Sequence, residues 1–246
     1  MKILAVLVNF GTEQLEYLEK VVAGLKSFKR YDVTVIVHSN IPLQIDGIDQ
    51  VKIFSLNNYQ LLPLTCRKTI WDNREDYDVF IFGENDHLFQ EHHVDKHLEY
   101  EKILPEDRIT GLFQFEVGGN KDMYYPAYHA RYDWDMGSVE IHGGKKFAHF
   151  TNLHQATFIL SQKQLLRIGQ IHDFTQFMGS SHYDYKCRVN TDIYQFCGMK
   201  KLICISEFED NLIHHLPNIY TTGAKGRLKL GSWDARMQDK LKILLA

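Results

Sequence analysis

The chain has 246 residues, enough for one α/β domain or two small ones with a sizeable core. Hydrophobic residues make up 44% and charged residues 24%, the ordinary range of a soluble globular protein. The net charge of −3, without a basic cluster of five or more residues, argues against nucleic acid or another polyanion as partner. A small anionic ligand held by one or two cations remains compatible.

The first eight residues, Met1 to Val8, are apolar like the core of a signal peptide. They lack a small-residue cleavage site and run into a polar helix, so they read as a first strand, Ile3 to Val8. Asn9-Phe10-Gly11-Thr12 closes it. Glu13 to Ser27 follows with Leu15, Leu18, Val22 and Leu25 at helical spacing and Thr12 as N-cap. Asp32 to His38 is a second strand, rich in β-branched residues and broken by Ser39-Asn40-Ile41-Pro42. Val51 to Leu56 is a third. Apolar strands joined through a helix predict right-handed crossovers and a parallel sheet covered on both faces.

Tyr59 to Asn73 is helical beyond Pro63 and carries Arg67 and Lys68. Val79 to Phe82 reads as a buried central strand that Gly83 ends, with Glu84-Asn85-Asp86 immediately after it. Val94 to Leu104 is a helix stopped by Pro105, and Ile109 to Phe115 is another strand. From Glu116 to Phe150 periodicity gives way to Gly118-Gly119, Gly143-Gly144 and the aromatics Tyr124, Tyr125, Tyr128, Tyr132 and Trp134. This stretch is expected to be a long irregular insert. Its rings suit the apolar C–H faces of a sugar, with plain packing onto the domain as the competing reading.

Thr157 to Leu160 is a strand and Gln162 to Ile168 a helix. Asn190-Thr191-Asp192 stands ahead of a short helix, Leu202 to Ser206 is a last strand, and the tail after Gly223 is weakly helical. Cys66, Cys187, Cys197 and Cys204 form no CxxC pair and are read as reduced thiols. No apolar run approaches membrane-spanning length, so a cytoplasmic protein is expected.

Three features carry chemistry. In open α/β sheets ligands bind outside the carboxyl ends of the strands. Glu84, Asn85 and Asp86 stand at such an end, where carboxylate oxygens hold hard divalent cations and a cation clamps a diphosphate. The bland alternative is an acidic turn. Asn9-Phe10-Gly11 offers an aromatic face and a backbone turn to a nucleobase, and Arg67 is a fixed cation suited to a diphosphate.

With these residues in this order the sequence resembles a glycosyltransferase of the GT-A fold, family 2-like, over roughly residues 1 to 220. The resemblance is carried by Val8-Asn9-Phe10-Gly11, the strand Tyr31 to His38, the helix with Cys66-Arg67-Lys68, and the strand from Asp78 to Asp86. The acidic triplet corresponds to the DXD motif, with Glu84 standing where the first aspartate is usual. The resemblance implies a Rossmann-like, mostly parallel central sheet flanked by helices. It also implies one domain over 1–246, with 1–115 binding the nucleotide-sugar, 116–220 the acceptor, and 221–246 a tail.

The implied activity is transfer of a sugar from a UDP-sugar donor to a hydroxyl of a carbohydrate or other acceptor, with Mn2+ (or Mg2+). Asn9, Phe10, His38, Arg67, Glu84 and Asn85 would then serve the donor. Asp86 and Glu84 would serve the metal, whose shell a late histidine, His214 or His215, completes. In an inverting enzyme a carboxylate base is needed, and Asp192 matches its position, with capping of the helix as its other reading. Asp133, Asp135 and Glu140 are weaker alternatives.

Two other enzyme classes are disfavoured, because the turn after the first strand is neither the basic glycine-rich loop of a pyrophosphorylase nor G-x-G-x-x-G. A non-catalytic sugar- or nucleotide-binding module on the same scaffold is the alternative.

Overall fold

Lys2–Asn9 forms β1, buried from Ile3 onward, and it is the central strand of the sheet that carries the acidic triplet. The computed structural model describes residues 1–119, 123–124, 132–221 and 232–246, with 123–124 and 232–235 described by their backbone alone. Its strands after β1 are β2 (Asp32–Ser39), β3 (Gln50–Ile53), β4 (Val79–Glu84), β5 (His87–Leu88), β6 (Arg108–Thr110), β7 (Phe113–Val117) and β8 (Met123–Tyr124). They continue with β9 (Glu140–His142), β10 (Lys145–Ala148), β11 (Thr157–Ser161), β12 (Lys200–Cys204) and β13 (Leu212–His215). The helices are α1 (Leu15–Lys26), α2 (Leu62–Asp72), α3 (Glu91–Ile103), α4 (Gln162–Ile171), α5 (Tyr185–Phe196) and α6 (Ser232–Leu245). The chain is α/β, and no helix among the described residues is long and apolar enough to cross a membrane.

The described residues fall into two compact bodies, Met1–Val94 with Ala156–Gly198, and Asp95–Gln155 with Met199–Ala246. In the first, the strand order is β11-β4-β1-β2-β3. β1 runs parallel to β2 and β4, β2 parallel to β3, and β11 antiparallel to β4. Strand order reverses between β1 and β4, because the chain leaves β1 toward β2 on one side and returns to β4 on the other. Continuous apolar runs in β1 and β4 follow from burial on both faces. α1 buries Leu18, Val21, Val22 and Leu25, the single stripe its spacing predicts.

Several expectations are corrected here. Thr12 is exposed and does not cap α1; the helix begins after Gln14, because Gly11 at φ +69° redirects the chain first. Gly83 does not end β4, which runs on to Glu84. A Cβ at Gly83 would lie 2.6 Å from the Phe89 ring, so the glycine makes room for that ring within the strand. α5 starts at Tyr185, capped by Asp184, which accepts from the Cys187 N–H at 2.9 Å. Asp192 therefore lies inside the helix, on a stretch from Val189 to Tyr194 that is wholly buried, and caps nothing.

In the second body β6 pairs in parallel with β12, and β12 and β9 flank β10 in antiparallel fashion. β7 pairs in parallel with β13. The strand expected over Ile109 to Phe115 is thus two strands in different sheets. They part at Gly111, where a Cβ would lie 2.2 Å from the Lys201 side chain and 2.4 Å from the Gln155 amide oxygen.

The stretch from Glu116 to Phe150 is also more regular than expected, since β9 and β10 form a hairpin. Gly143 (φ +55°) and Gly144 (φ +78°) supply the two left-handed residues that a tight two-residue turn demands. Trp134 is buried, stacking on Phe113 at 6.0 Å beside Phe150, so it packs a core instead of facing a sugar. Met237, Leu241 and Leu244 of α6 close that core at i, i+4 and i+7, which makes the tail a well-formed packing helix. Tyr125 and Tyr128 lie outside the described residues.

Candidate functional site

The carboxyl ends of β1, β2 and β4 are tied together by side-chain amides. Asn9, buried at the end of β1, donates to the Gly11 carbonyl at 3.0 Å and to Ser39 Oγ at 3.4 Å. Its Oδ1 accepts from Asn85 Nδ2 at 2.8 Å. The Gly11 N–H in turn donates to Asn40 Oδ1 at 2.7 Å. The reversal of strand order between β1 and β4 is therefore bridged by one amide pair, and a crevice at such a reversal is the general ligand position in open α/β sheets.

Around this point the side chains are mixed in character. Asp86 is buried, its Oδ2 accepts from Gln14 Nε2 at 3.3 Å, and its Oδ1 is 2.8 Å from His87 Nδ1. Glu84, half-buried at the end of β4, faces the start of α5: its charge, before those of Cys187, Asp184 and Asp86, holds the exposed Lys186 ammonium above its ordinary pKa. Lys186 is a cation beside the triplet that the sequence reading missed. The available signal was its place two residues after a helix-capping aspartate. Phe10 is 59% exposed and lies 5.1 Å from the Tyr59 ring, so an open aromatic pair marks the end of β1.

Two of the donor-site candidates sit elsewhere. His38 is fully buried, its ring between Thr65 Oγ1 (2.6 Å) and Thr69 Oγ1 (3.1 Å) and stacked on Phe54. Burial, and secondarily Lys52, pulls its pKa down to about 3, so it is a neutral core histidine. Arg67 is also fully buried. Its Nε donates to the Phe174 carbonyl at 2.5 Å, its guanidinium lies over the Phe174 ring, and its Nη1 is 4.0 Å from Asp192 Oδ2. Burial lowers the Arg67 pKa to about 10, against the opposing pull of Asp192 and Asp173.

Asp192, fully buried, accepts from the Met178 N–H at 3.0 Å and approaches Arg188 Nε at 3.5 Å. Arg67 and Asp192 are thus assigned to one buried ion pair, which pins the segment between α4 and α5. Its carboxylate is engaged by the Met178 N–H, Arg67 and Arg188.

The alternative bases are engaged as well. Burial alone would raise the Glu140 carboxyl, but hydrogen bonds from Arg108 and His142 prevail and bring it down to about 2, a poor proton acceptor at neutral pH. Asp133 pairs with Arg236 at 2.8 Å and with Lys240. Asp135 is exposed and closes its own turn through the Gly137 N–H.

His214 and His215 belong to the second body, side by side in β13. His214 stacks on Phe115 at 4.9 Å, and its Nε2 is 3.1 Å from Asn218 Oδ1. His215 is buried, with Nδ1 2.5 Å from Glu116 Oε1. Glu84, Asn85 and Asp86 lie in the first body, together with Asn9, Phe10, His38, Arg67 and Asp192. No protein-family model and no curated protein matches the chain.

Proposed function

We propose that the chain is a metal-dependent glycosyltransferase that moves a sugar from a nucleoside-diphosphate donor, UDP-linked, to a hydroxyl of a glycan or other acceptor. One observation carries the reading: two carboxylates, Glu84 and Asp86, stand at the carboxyl end of β4 where the strand order reverses. Phe10, exposed beside Tyr59 at the neighbouring strand end, offers a face to a base.

The donor set fits a hard or borderline cation. Glu84 and Asp86 offer oxygens, and the buried His87, whose Nδ1 is 2.8 Å from Asp86 Oδ1, offers a nitrogen. Asp86 and Glu84 would hold Mn2+ (or Mg2+). Such an ion neutralises charge on a departing diphosphate.

The test is calorimetric titration of UDP with and without Mn2+, followed by a transfer assay with UDP-sugars. Failure to bind UDP in the presence of either metal would remove the reading. The enclosure of Asp192 and Arg67 favours a second one, a non-catalytic sugar- or nucleotide-binding module. Tight UDP binding with no turnover on any acceptor would select it.

A further inference from the structure

We propose that β9 is the contact strand of a symmetric dimer of this chain, two copies pairing antiparallel about Ile141 and joining their four-stranded sheets into one. The inference is independent of the transfer reading above and stands within the second body.

β9 ends the sheet β6-β12-β10-β9, with no further strand beside it among the described residues. Its inner neighbour decides which of its backbone groups face outward. Ile141 stands opposite Lys146 of β10. The Lys146 carbonyl accepts from the Ile205 N–H at 2.9 Å, and the Lys146 N–H donates to Ser206 Oγ at 3.1 Å. Both groups therefore point toward the segment after β12 and away from β9. Ile141 and Lys146 are thus a non-hydrogen-bonded pair, as the two-residue turn at Gly143 and Gly144 requires of the pair next to its closing one. In such a pair the N–H and C=O of the edge residue are directed outward. Ile141 presents one donor and one acceptor at the sheet edge, and its side chain is 67% exposed. β9 carries neither lysine nor proline, the residues that commonly blunt an edge.

A residue with both groups outward can meet its own copy across a two-fold axis, each N–H donating to the other's carbonyl. The charges select that register. Pairing Ile141 with Ile141 sets Glu140 of each copy opposite His142 of the other. Moving the axis one residue back would set Glu140 against Glu140, and one residue forward His142 against His142. Arg108 and Lys200 hold the Glu140 carboxylate ionised and in place, at 2.9 and 3.4 Å. On the opposite face the two Ile141 side chains meet. Lys146 on that face is turned toward α6, its Nζ donating to the Leu245 carbonyl at 2.5 Å. A strand of 3 residues gives a small interface, so the dimer is expected to be weak and concentration-dependent.

Sedimentation velocity over a wide concentration range tests the proposal. Wild type is expected to pass from monomer to dimer as concentration rises. Ile141→Lys, at an exposed position, sets two like charges against each other across the axis and should raise the dissociation constant about tenfold or more. Ile141→Pro removes the outward N–H where an edge strand tolerates proline, and should do the same. A wild type that stays monomeric throughout would overturn the proposal. So would a dimer that both variants leave intact, or an open chain of copies.

Register is read separately by oxidising Ile141→Cys. Direct pairing puts the two Cα atoms about 5.5 Å apart, within disulfide reach, so a covalent dimer should form readily. Ile53→Cys, at 59% exposure on another sheet edge, is the control and should crosslink only by random collision. Equal crosslinking at the two positions would refute the pairing, even if Ile141→Lys or Ile141→Pro failed to fold.

Discussion

Asn9 and Asn85 face each other with Oδ1 accepting from Nδ2 at 2.8 Å, and this contact bridges the ends of β1 and β4. The Asn9 amide cannot turn over, because its nitrogen already donates to the Gly11 carbonyl and Ser39 Oγ. Asn85→Ala would leave a buried acceptor without that donor, at a cost of about 1–3 kcal/mol. Asn85→Asp should cost more, since it sets an acceptor against an acceptor. Urea unfolding reads both, and an aspartate variant at least as stable as the alanine one would refute the orientation.

The ion pair of Arg67 and Asp192 is predicted to be structural. Asp192→Asn still accepts from the Met178 N–H but leaves Arg67 buried without its counter-charge. Breaking a buried pair on one side costs about 3–5 kcal/mol. A lower denaturation midpoint is expected, with turnover per folded molecule close to wild type. Unchanged stability with turnover lost would return Asp192 to the chemistry.

His38 should make stability depend on pH. Its imidazole takes a proton near 6.5 in the unfolded chain but only near 3 in the native one. Between those values the unfolded form binds more protons, so stability rises with pH. The contribution is complete above 6.5 and drains away as pH falls toward 3. Denaturant midpoints from pH 7 to pH 4 should decline less steeply in His38→Asn than in wild type. Parallel slopes would show that His38 is not the titrating group.

Metal dependence is the prediction closest to function. Asp86→Ala should lose Mn2+ binding and reduce transfer by about a hundredfold or more while the far-ultraviolet spectrum is retained. Excess EDTA should abolish transfer and Mn2+ should restore it. Full transfer in EDTA would take the metal out of the reaction.

Much of the first body was legible because its signals are local. The unbroken apolar runs of β1, β2 and β4 require burial on both faces, and only a sheet covered by helices provides it. The placement of Glu84 and Asp86 at a strand end followed from the same pattern. Burial between elements was not legible. An arginine on a helix looks the same whether it meets solvent or a buried aspartate more than a hundred residues away, and Arg67 meets Asp192. The start of α5 at Tyr185 was hidden because its buried stretch is all-round and carries Asn190, Thr191 and Asp192, residues that in isolation favour caps. Gly83 read as a break and Gly111 as the interior of a strand, but each is set by a side chain that occupies the space of a Cβ. By itself, the sequence determined the apolar strands β1, β2 and β4, their parallel pairing and the acidic end of β4. Tertiary structure alone decided which charged groups are enclosed as pairs and that Glu116 meets His215, because those contacts depend on packing between segments distant in the chain.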